Sequence, residues 1–163
     1  MDRLILLRHG TAEPESATGD DFARRLTSRG TRDTDAIAGR LAEMGFQPQI
    51  ALVSAATRTC ETWAAAQPHF PGAELRVRRD LYLADSEAVR RAALEAGEEC
   101  SAVLVVGHNP GLQELAIQLL QEGSAPAGLI AKAQRDFPPA AAAVFLLDAN
   151  GRPHFDGLFF PER

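Results

Sequence analysis

Two histidines, about a hundred residues apart in the chain, each follow a short apolar run. His9 comes after residues 4–7 with Arg8 between, and His108 comes after residues 103–106 and Gly107. Such runs are typical of strands buried on both faces, and the carboxyl ends of parallel strands open onto one shared crevice. The sequence therefore predicts that the two imidazoles meet in space.

Two arginines supply the charge that a phosphate site needs. Arg8 precedes the first histidine, and Arg58 lies just past the apolar segment 50–53. A planar guanidinium can hold two phosphate oxygens at once, whereas a neutral imidazole nitrogen can attack phosphorus and form a phosphoenzyme. We therefore predict that His9 is the nucleophile and that Arg8 and Arg58 bind the phosphoryl group.

Two further residues are assigned to the same phosphate site. His108 precedes a predicted helix, where backbone N–H groups and the helix dipole favour an anion. Thr11 offers a hydroxyl from the following loop, although a loop threonine often only caps a turn. The flanking arginines are expected to lower the pKa of His9, because a nearby positive charge disfavours the protonated ring.

The elements that must position these residues alternate between strand-like and helix-like segments. This alternation predicts an α/β fold with a mostly parallel central sheet between two helical layers and an antiparallel C-terminal edge strand. Asn109 is expected to cap the helix after His108, with Pro110 at its first position. The predicted strands cover residues 3–8, 50–53, 74–78, 102–106, 141–147 and 154–160, and the predicted helices begin near residues 27, 57, 86 and 110; after Gly123 the pattern loosens.

Composition limits the class of protein. With 163 residues, 45% of them apolar, the chain is expected to form one domain over residues 1–163, as a monomer. No signal-peptide pattern or long apolar stretch is present, which predicts a cytoplasmic protein without a membrane segment. The net charge of −5 argues against broad nucleic-acid binding. His9 and His108 have no third ligand at a recognisable spacing, so no metal and no cofactor is expected.

Four motifs together give the chain a family resemblance. Arg8-His9-Gly10, Leu26-Thr27-x-x-Gly30, Ser54-Ala55-x-x-Arg58-x-x-x-Thr62 and Gly107-His108-Asn109-Pro110 resemble the motifs of the histidine phosphatase superfamily. The short length, Leu81-Tyr82-Leu83-Ala84 and Asp136-Phe137-Pro138 are similar to the SixA-type phosphohistidine phosphatases. The resemblance implies a phosphoglycerate mutase-like fold and no metal.

The same resemblance assigns roles to residues. It implies that His9 is phosphorylated and that Arg8, Arg58 and His108 hold the phosphoryl group. Relatives that cleave phosphate esters often add a carboxylic acid before the last motif, where only Asp80 and Asp85 are candidates here. In one departure, Ser54-Ala55-Ala56 contains no proline where relatives often have one.

The predicted function is therefore removal of phosphate from phosphohistidine on a protein partner. An alkoxide leaving group needs a positioned acid, whereas a phosphorylated imidazole nitrogen is readily protonated. The alternatives are a phosphatase of small phosphate esters, a mutase, and an inactive phosphate-binding module. Other charged or aromatic residues are given structural interpretations: Arg24-Arg25 and residues 76–79 as solvated faces, His69 and His154 as surface residues, and Trp63 as core.

Overall fold

A six-stranded sheet forms the centre of the molecule. The computed structural model describes all residues, 1–163, and orders the strands β3-β2-β4-β1-β5-β6. The parallel pairs are β1 with β4, β4 with β2 and β2 with β3, whereas β5 is antiparallel to both of its neighbours, β1 and β6. The strands are β1 (Arg3–Arg8), β2 (Ile50–Ser54), β3 (Glu74–Arg78), β4 (Ala102–Gly107), β5 (Ala142–Leu147) and β6 (Pro153–Phe159).

Helices cover both faces of this sheet. Successive residues of β1 enter opposite cores: Leu4 and Leu6 pack with the helices after β3, whereas Ile5 and Leu7 pack with the two helices before it. A strand buried on both faces has to be apolar throughout, which explains its continuous apolar run. The helices are α1 (Ser28–Glu43), α2 (Thr57–Ala66), α3 (Ser86–Gly97), α4 (Gly111–Glu122) and α5 (Ala127–Arg135), with short 3-10 turns at 21–23, 67–69 and 79–81.

The predicted three-layer α/β fold is confirmed, with its mostly parallel sheet. The C-terminal edge strand β6 pairs antiparallel with β5 as expected, but β5 is the strand whose direction is reversed in the sheet. None of the helices is long and apolar enough to cross a membrane.

Two details of the helices differ from the prediction. Helix α4 begins at Gly111 with Pro110 at the cap position, so Asn109 is not the cap. The Asn109 side chain instead donates a hydrogen bond to the carbonyl of Phe137, at 2.9 Å. Helix α5 occupies the segment after Gly123, where the sequence pattern predicted neither a helix nor a strand. The helix is short and buries only Ala133 completely, so it leaves little apolar periodicity in the sequence.

Two glycines allow the loop after β1 to lie directly on α1. A Cβ at Gly10 would be 2.5 Å from the carbonyl oxygen of Gly30, and a Cβ at Gly30 would be 2.2 Å from the carbonyl oxygen of Thr11. Thr27, the N-cap of α1, ties the same loop through its N–H and its hydroxyl, which both donate to the Thr11 carbonyl. This close backbone contact explains the glycine in the Leu26-Thr27-x-x-Gly30 motif.

Replacing Gly30 with alanine is expected to lower stability by about 3 kcal/mol, or roughly 10 °C in Tm, because the added methyl would overlap backbone that cannot yield cheaply. Thermal unfolding measures the change. The matched control is Gly128→Ala in α5, where a Cβ meets open space and alanine should slightly stabilise the helix. Equal melting temperatures for the two variants would contradict the close-contact explanation.

Candidate functional site

The carboxyl ends of three neighbouring strands create one pocket. β1 ends at Arg8 beside Gly107 at the end of β4, and the His9 N–H donates to the Gly107 carbonyl at 3.1 Å. The end of β2 on the other side of β4 leads into α2, which carries Arg58 in its first turn. The pocket has a volume of about 450 Å³ and is lined by Arg8, His9, Thr11, Ala12, Asp21, Arg24, Arg58, Leu83, His108, Asn109 and Pro139.

The His9 ring is buried and its tautomer is fixed by one hydrogen bond. Nδ1 lies 2.7 Å from the carbonyl oxygen of Gly10. A carbonyl oxygen can only accept, so the proton of the neutral ring must be on Nδ1. The lone pair is then on Nε2, which is the arrangement that a nucleophilic imidazole requires.

His108 lies beside His9 and is held by Ser54. The ring centroids are 5.4 Å apart, and Nε2 of His108 is 2.8 Å from the hydroxyl oxygen of Ser54. When that hydroxyl donates to Nε2, the ring proton is on Nδ1, which is buried and has no hydrogen-bond partner. Ser54 belongs to the motif that also contains Arg58, but only the tertiary contact reveals that it orients His108.

Both predicted arginines line the pocket, and each has an unpaired Nε. Arg8 donates through Nη1 to the Phe137 carbonyl at 3.1 Å. Arg58 is 2% exposed and donates to Asp21 twice, through Nη1 to the backbone oxygen at 2.8 Å and through Nη2 to the carboxylate at 3.1 Å. Both guanidinium groups are thus held in place by protein contacts, and each still has an N–H donor without a partner.

Three residues of this region were missed at the level of sequence. The Asp21 carboxylate accepts from Arg58, from Arg24 at 2.9 Å and from the hydroxyl of Tyr82. The Tyr82 ring in turn packs edge-on against His108, with centroids 5.6 Å apart. Arg24, which the sequence predicts to lie on a solvated face, is partly exposed and also lines the pocket. A polar loop gives no periodic signal that would locate Asp21 or Arg24.

Of the remaining candidate residues, one lines the pocket and two do not. Thr11 lines the pocket as predicted, although its carbonyl also ties down α1. Neither candidate acid belongs to the lining: Asp80 is paired with Arg78 at 2.6 Å, and Asp85 is the N-cap of α3, accepting from Ala88 at 2.8 Å.

Comparison with known proteins matches this geometry to a family. The sequence model of the histidine phosphatase superfamily (branch 1) matches residues 4–85, about half of the chain. The chain belongs to the histidine phosphatase superfamily. A curated relative, an uncharacterised chloroplastic protein of Arabidopsis thaliana, is 28% identical over 98% of this chain and 78% of its own length.

Solved structures show the same fold over nearly the whole length of this chain. A candidate phosphohistidine phosphatase SixA from Agrobacterium tumefaciens is 27% identical, covers 98% of both chains and has a TM-score of 0.85. A second SixA-type candidate, from Nakamurella multipartitia, is 26% identical over 99% of this chain and 97% of its own, with a TM-score of 0.83. The fold of this chain is thus SixA-like, which supports phosphatase activity.

The motif that starts at Ser54 is well ordered without a proline. The Ala55 N–H donates to the carbonyl of Arg78 at 3.1 Å, and the Ala56 N–H is 3.4 Å from the Ser54 hydroxyl. A proline at either position would remove one of these donors. Alanine therefore suits this loop, and Ser54 still reaches His108.

Burial is the main cause of the shifted pKa values of the two histidines in the pocket. The pKa of His9 is lowered to about 4, first by desolvation and only then by Arg8, Arg58 and Arg24. The prediction that arginines lower it has the right direction but the wrong leading cause. The pKa of His108 is lowered to about 3, again first by desolvation, then by His9 and Arg58. Both rings are neutral at pH 7.

Titration followed by NMR should show His9 and His108 protonating near pH 4 and pH 3, well below the ~6.5 of free imidazole. Between these values and pH 6.5 the unfolded chain binds more protons than the native protein, so native stability is expected to rise with pH across that range. Chemical unfolding at pH 4.5 and pH 7 measures the difference. A measured His9 pKa at or above 6.5 would contradict the conclusion that burial lowers the pKa of this ring.

Proposed function

We propose that this protein is a phosphohistidine phosphatase of the SixA type in which His9 is the nucleophile. The observation that carries the proposal is the fixed tautomer of His9, with Nδ1–H bound to Gly10, in a pocket that holds three guanidinium groups and one carboxylate. Within a chain of net charge −5, this pocket is locally positive. It combines an uncharged nucleophile with a binding site for a dianion.

The reaction proceeds in two steps. In the first, Nε2 of His9 attacks phosphorus, the P–N bond of the substrate breaks, and the leaving imidazole nitrogen receives a proton from solvent. In the second, water attacks the phosphorylated His9, giving inorganic phosphate and the free enzyme. In both steps, Arg8, Arg58 and His108 stabilise the charge on the equatorial phosphoryl oxygens, and no metal is required.

The unpaired donors around His9 support this binding role. Nε of Arg8, Nε of Arg58 and Nδ1 of His108 are buried without partners. A buried donor without a partner costs free energy, and such groups call for an explanation. A phosphoryl group in the pocket supplies three oxygens that can accept hydrogen bonds from these side chains.

The choice of phosphohistidine over a phosphate ester rests on the carboxylates. Asp21 is the carboxylate in the pocket lining, and its pKa is lowered to about 2, first by the hydrogen bond from Tyr82. It is ionised at pH 7 and has no proton to give to an alkoxide. Asp80, whose pKa is lowered by Arg78, and Asp85 both lie outside the lining. An imidazole leaving group depends less than an alkoxide on a proton from such an acid.

The test is a panel of substrates: a phosphohistidine peptide, phosphoramidate, a sugar phosphate and an aryl phosphate. We expect kcat/KM to be highest for the two P–N compounds, by about a hundredfold or more over the sugar phosphate, since general acid catalysis contributes about that much to ester cleavage. Preferred turnover of the sugar phosphate would instead support an ester phosphatase. Phosphate binding without any turnover would indicate an inactive module.

A further inference from the structure

Leu83 is an exposed leucine at the mouth of the pocket. Its relative exposure is 53%, and it lines the same pocket as His9 and His108. The rest of that lining consists of charged or polar side chains together with Ala12 and Pro139. Leu83 is therefore the one large, flexible apolar side chain that a bound substrate meets there.

The backbone at Leu83 is unfavourable for leucine. Its φ is +49°, in the left-handed region that glycine and asparagine adopt more readily. Two other residues that are not glycine share a positive φ. Ser124 follows the end of α4, where this conformation is common, and Ala140 is fully buried with its N–H donating to the His9 carbonyl at 3.0 Å. Leu83 likewise follows a helix end, that of the 3-10 turn at 79–81 with Tyr82 as its cap, but unlike Ala140 it has no burial to compensate its strain.

Residues on both sides of Leu83 hold its backbone in place. The Tyr82 hydroxyl donates to Asp21, and the Asp85 side chain caps α3. The short segment also packs closely on α4, because a Cβ at Gly111 would lie 2.1 Å from the Ala84 carbonyl oxygen. The leucine side chain is consequently presented to the pocket mouth by a fixed backbone.

We propose that Leu83 determines substrate specificity by packing against the imidazole ring of the phosphohistidine substrate. This inference rests on the proposed function. In-line attack by Nε2 of His9 places the leaving nitrogen on the side of phosphorus away from His9, and in this lining His9 is buried whereas Leu83 is exposed. The faces of an imidazole ring are apolar, so they gain from contact with an exposed leucine, whereas phosphoramidate and sugar phosphates have no such ring.

The experiment compares the phosphohistidine peptide with phosphoramidate in wild type, Leu83→Gly and Leu83→Asn. Both variants suit a positive φ, so their melting temperatures should equal or exceed that of wild type. The ratio of kcat/KM for the peptide to kcat/KM for phosphoramidate should fall about fivefold, as expected from losing a contact that buries roughly half a leucine side chain. Leu83→Met keeps an apolar side chain and should retain most of the ratio.

Ser124→Gly is the matched control, because it also places glycine at a position with a positive φ. Ser124 lies outside the pocket lining, so the ratio should stay unchanged. An unchanged ratio in both Leu83 variants, with an active wild type, would overturn this inference and leave the proposed function standing. A wild type that hydrolyses phosphate esters but not the phosphohistidine peptide would overturn the proposed function, and the inference with it.

Discussion

His9→Ala is expected to reduce kcat/KM for phosphoramidate by at least about 10⁴-fold and to abolish phosphoenzyme formation, because losing a covalent nucleophile removes the reaction path itself. The alanine side chain is smaller than the imidazole ring, so the pocket and its arginines should stay in place. Inorganic phosphate should therefore still bind. The measurements are steady-state turnover, trapping of radiolabelled phosphoenzyme during turnover, and calorimetric titration with phosphate.

His69→Ala is the matched control for His9. His69 is half-buried, is hydrogen-bonded through Nε2 to the Asp35 carboxylate at 2.8 Å and contributes nothing to the pocket lining. Its replacement should leave turnover within about twofold of wild type, as surface substitutions remote from special features generally do. Substantial activity in His9→Ala would show that another group attacks phosphorus, and the proposed mechanism would then be wrong.

Arg58→Ala is expected to lower kcat by about 10³-fold and to weaken phosphate binding, because a fixed donor to the transferring phosphoryl group typically contributes on that scale. Arg58→Lys restores the charge but not the planar fork that reaches both Asp21 and a phosphoryl oxygen, so at least a tenfold loss should remain. Turnover and phosphate affinity, measured together, separate binding from catalysis.

The loss in Arg58→Ala should not come from unfolding. Its partner Asp21 has a side chain that is 47% exposed, so the carboxylate can be solvated when the arginine is removed. Arg25→Ala is the matched control, since Arg25 also pairs with a carboxylate, that of Glu61 at 3.0 Å, but lies outside the pocket lining. Similar activity losses in Arg25→Ala and Arg58→Ala would indicate a general loss of charge rather than a phosphate contact.

The fold and five residues of the pocket lining follow from local pattern: Arg8, His9, Thr11, Arg58 and His108. The apolar runs ending at Arg8 and Gly107 predict buried parallel strands, and parallel strands bring their carboxyl ends to one edge. That rule alone placed His9 near His108, and the structure puts their rings 5.4 Å apart. The catalytic and binding roles of these residues stay predictions until the variants are measured, as do the protein partner, the monomeric state and the cytoplasmic location.

Contacts within irregular backbone did not follow from pattern. Asp21 lies in a loop without periodicity, yet it binds both Arg58 and Tyr82, which are distant in sequence. Helix α5 was missed for a similar reason, because a short helix with one fully buried residue leaves little periodic signal. Loops are positioned by side-chain contacts over long sequence separations, and a local pattern does not contain them.

The sequence by itself determined the strands that lead into the pocket, the residue types at the strand ends and hence the class of chemistry, because apolar periodicity and motif spacing are local properties. Only the tertiary structure decided the protonation states and the orientations of the His9 and His108 rings. Burial, rather than the neighbouring arginines, is the main cause of the low pKa of His9, and Ser54 fixes the ring of His108. Desolvation and long-range hydrogen bonds depend on how the whole chain packs, so they exist only once the fold is complete.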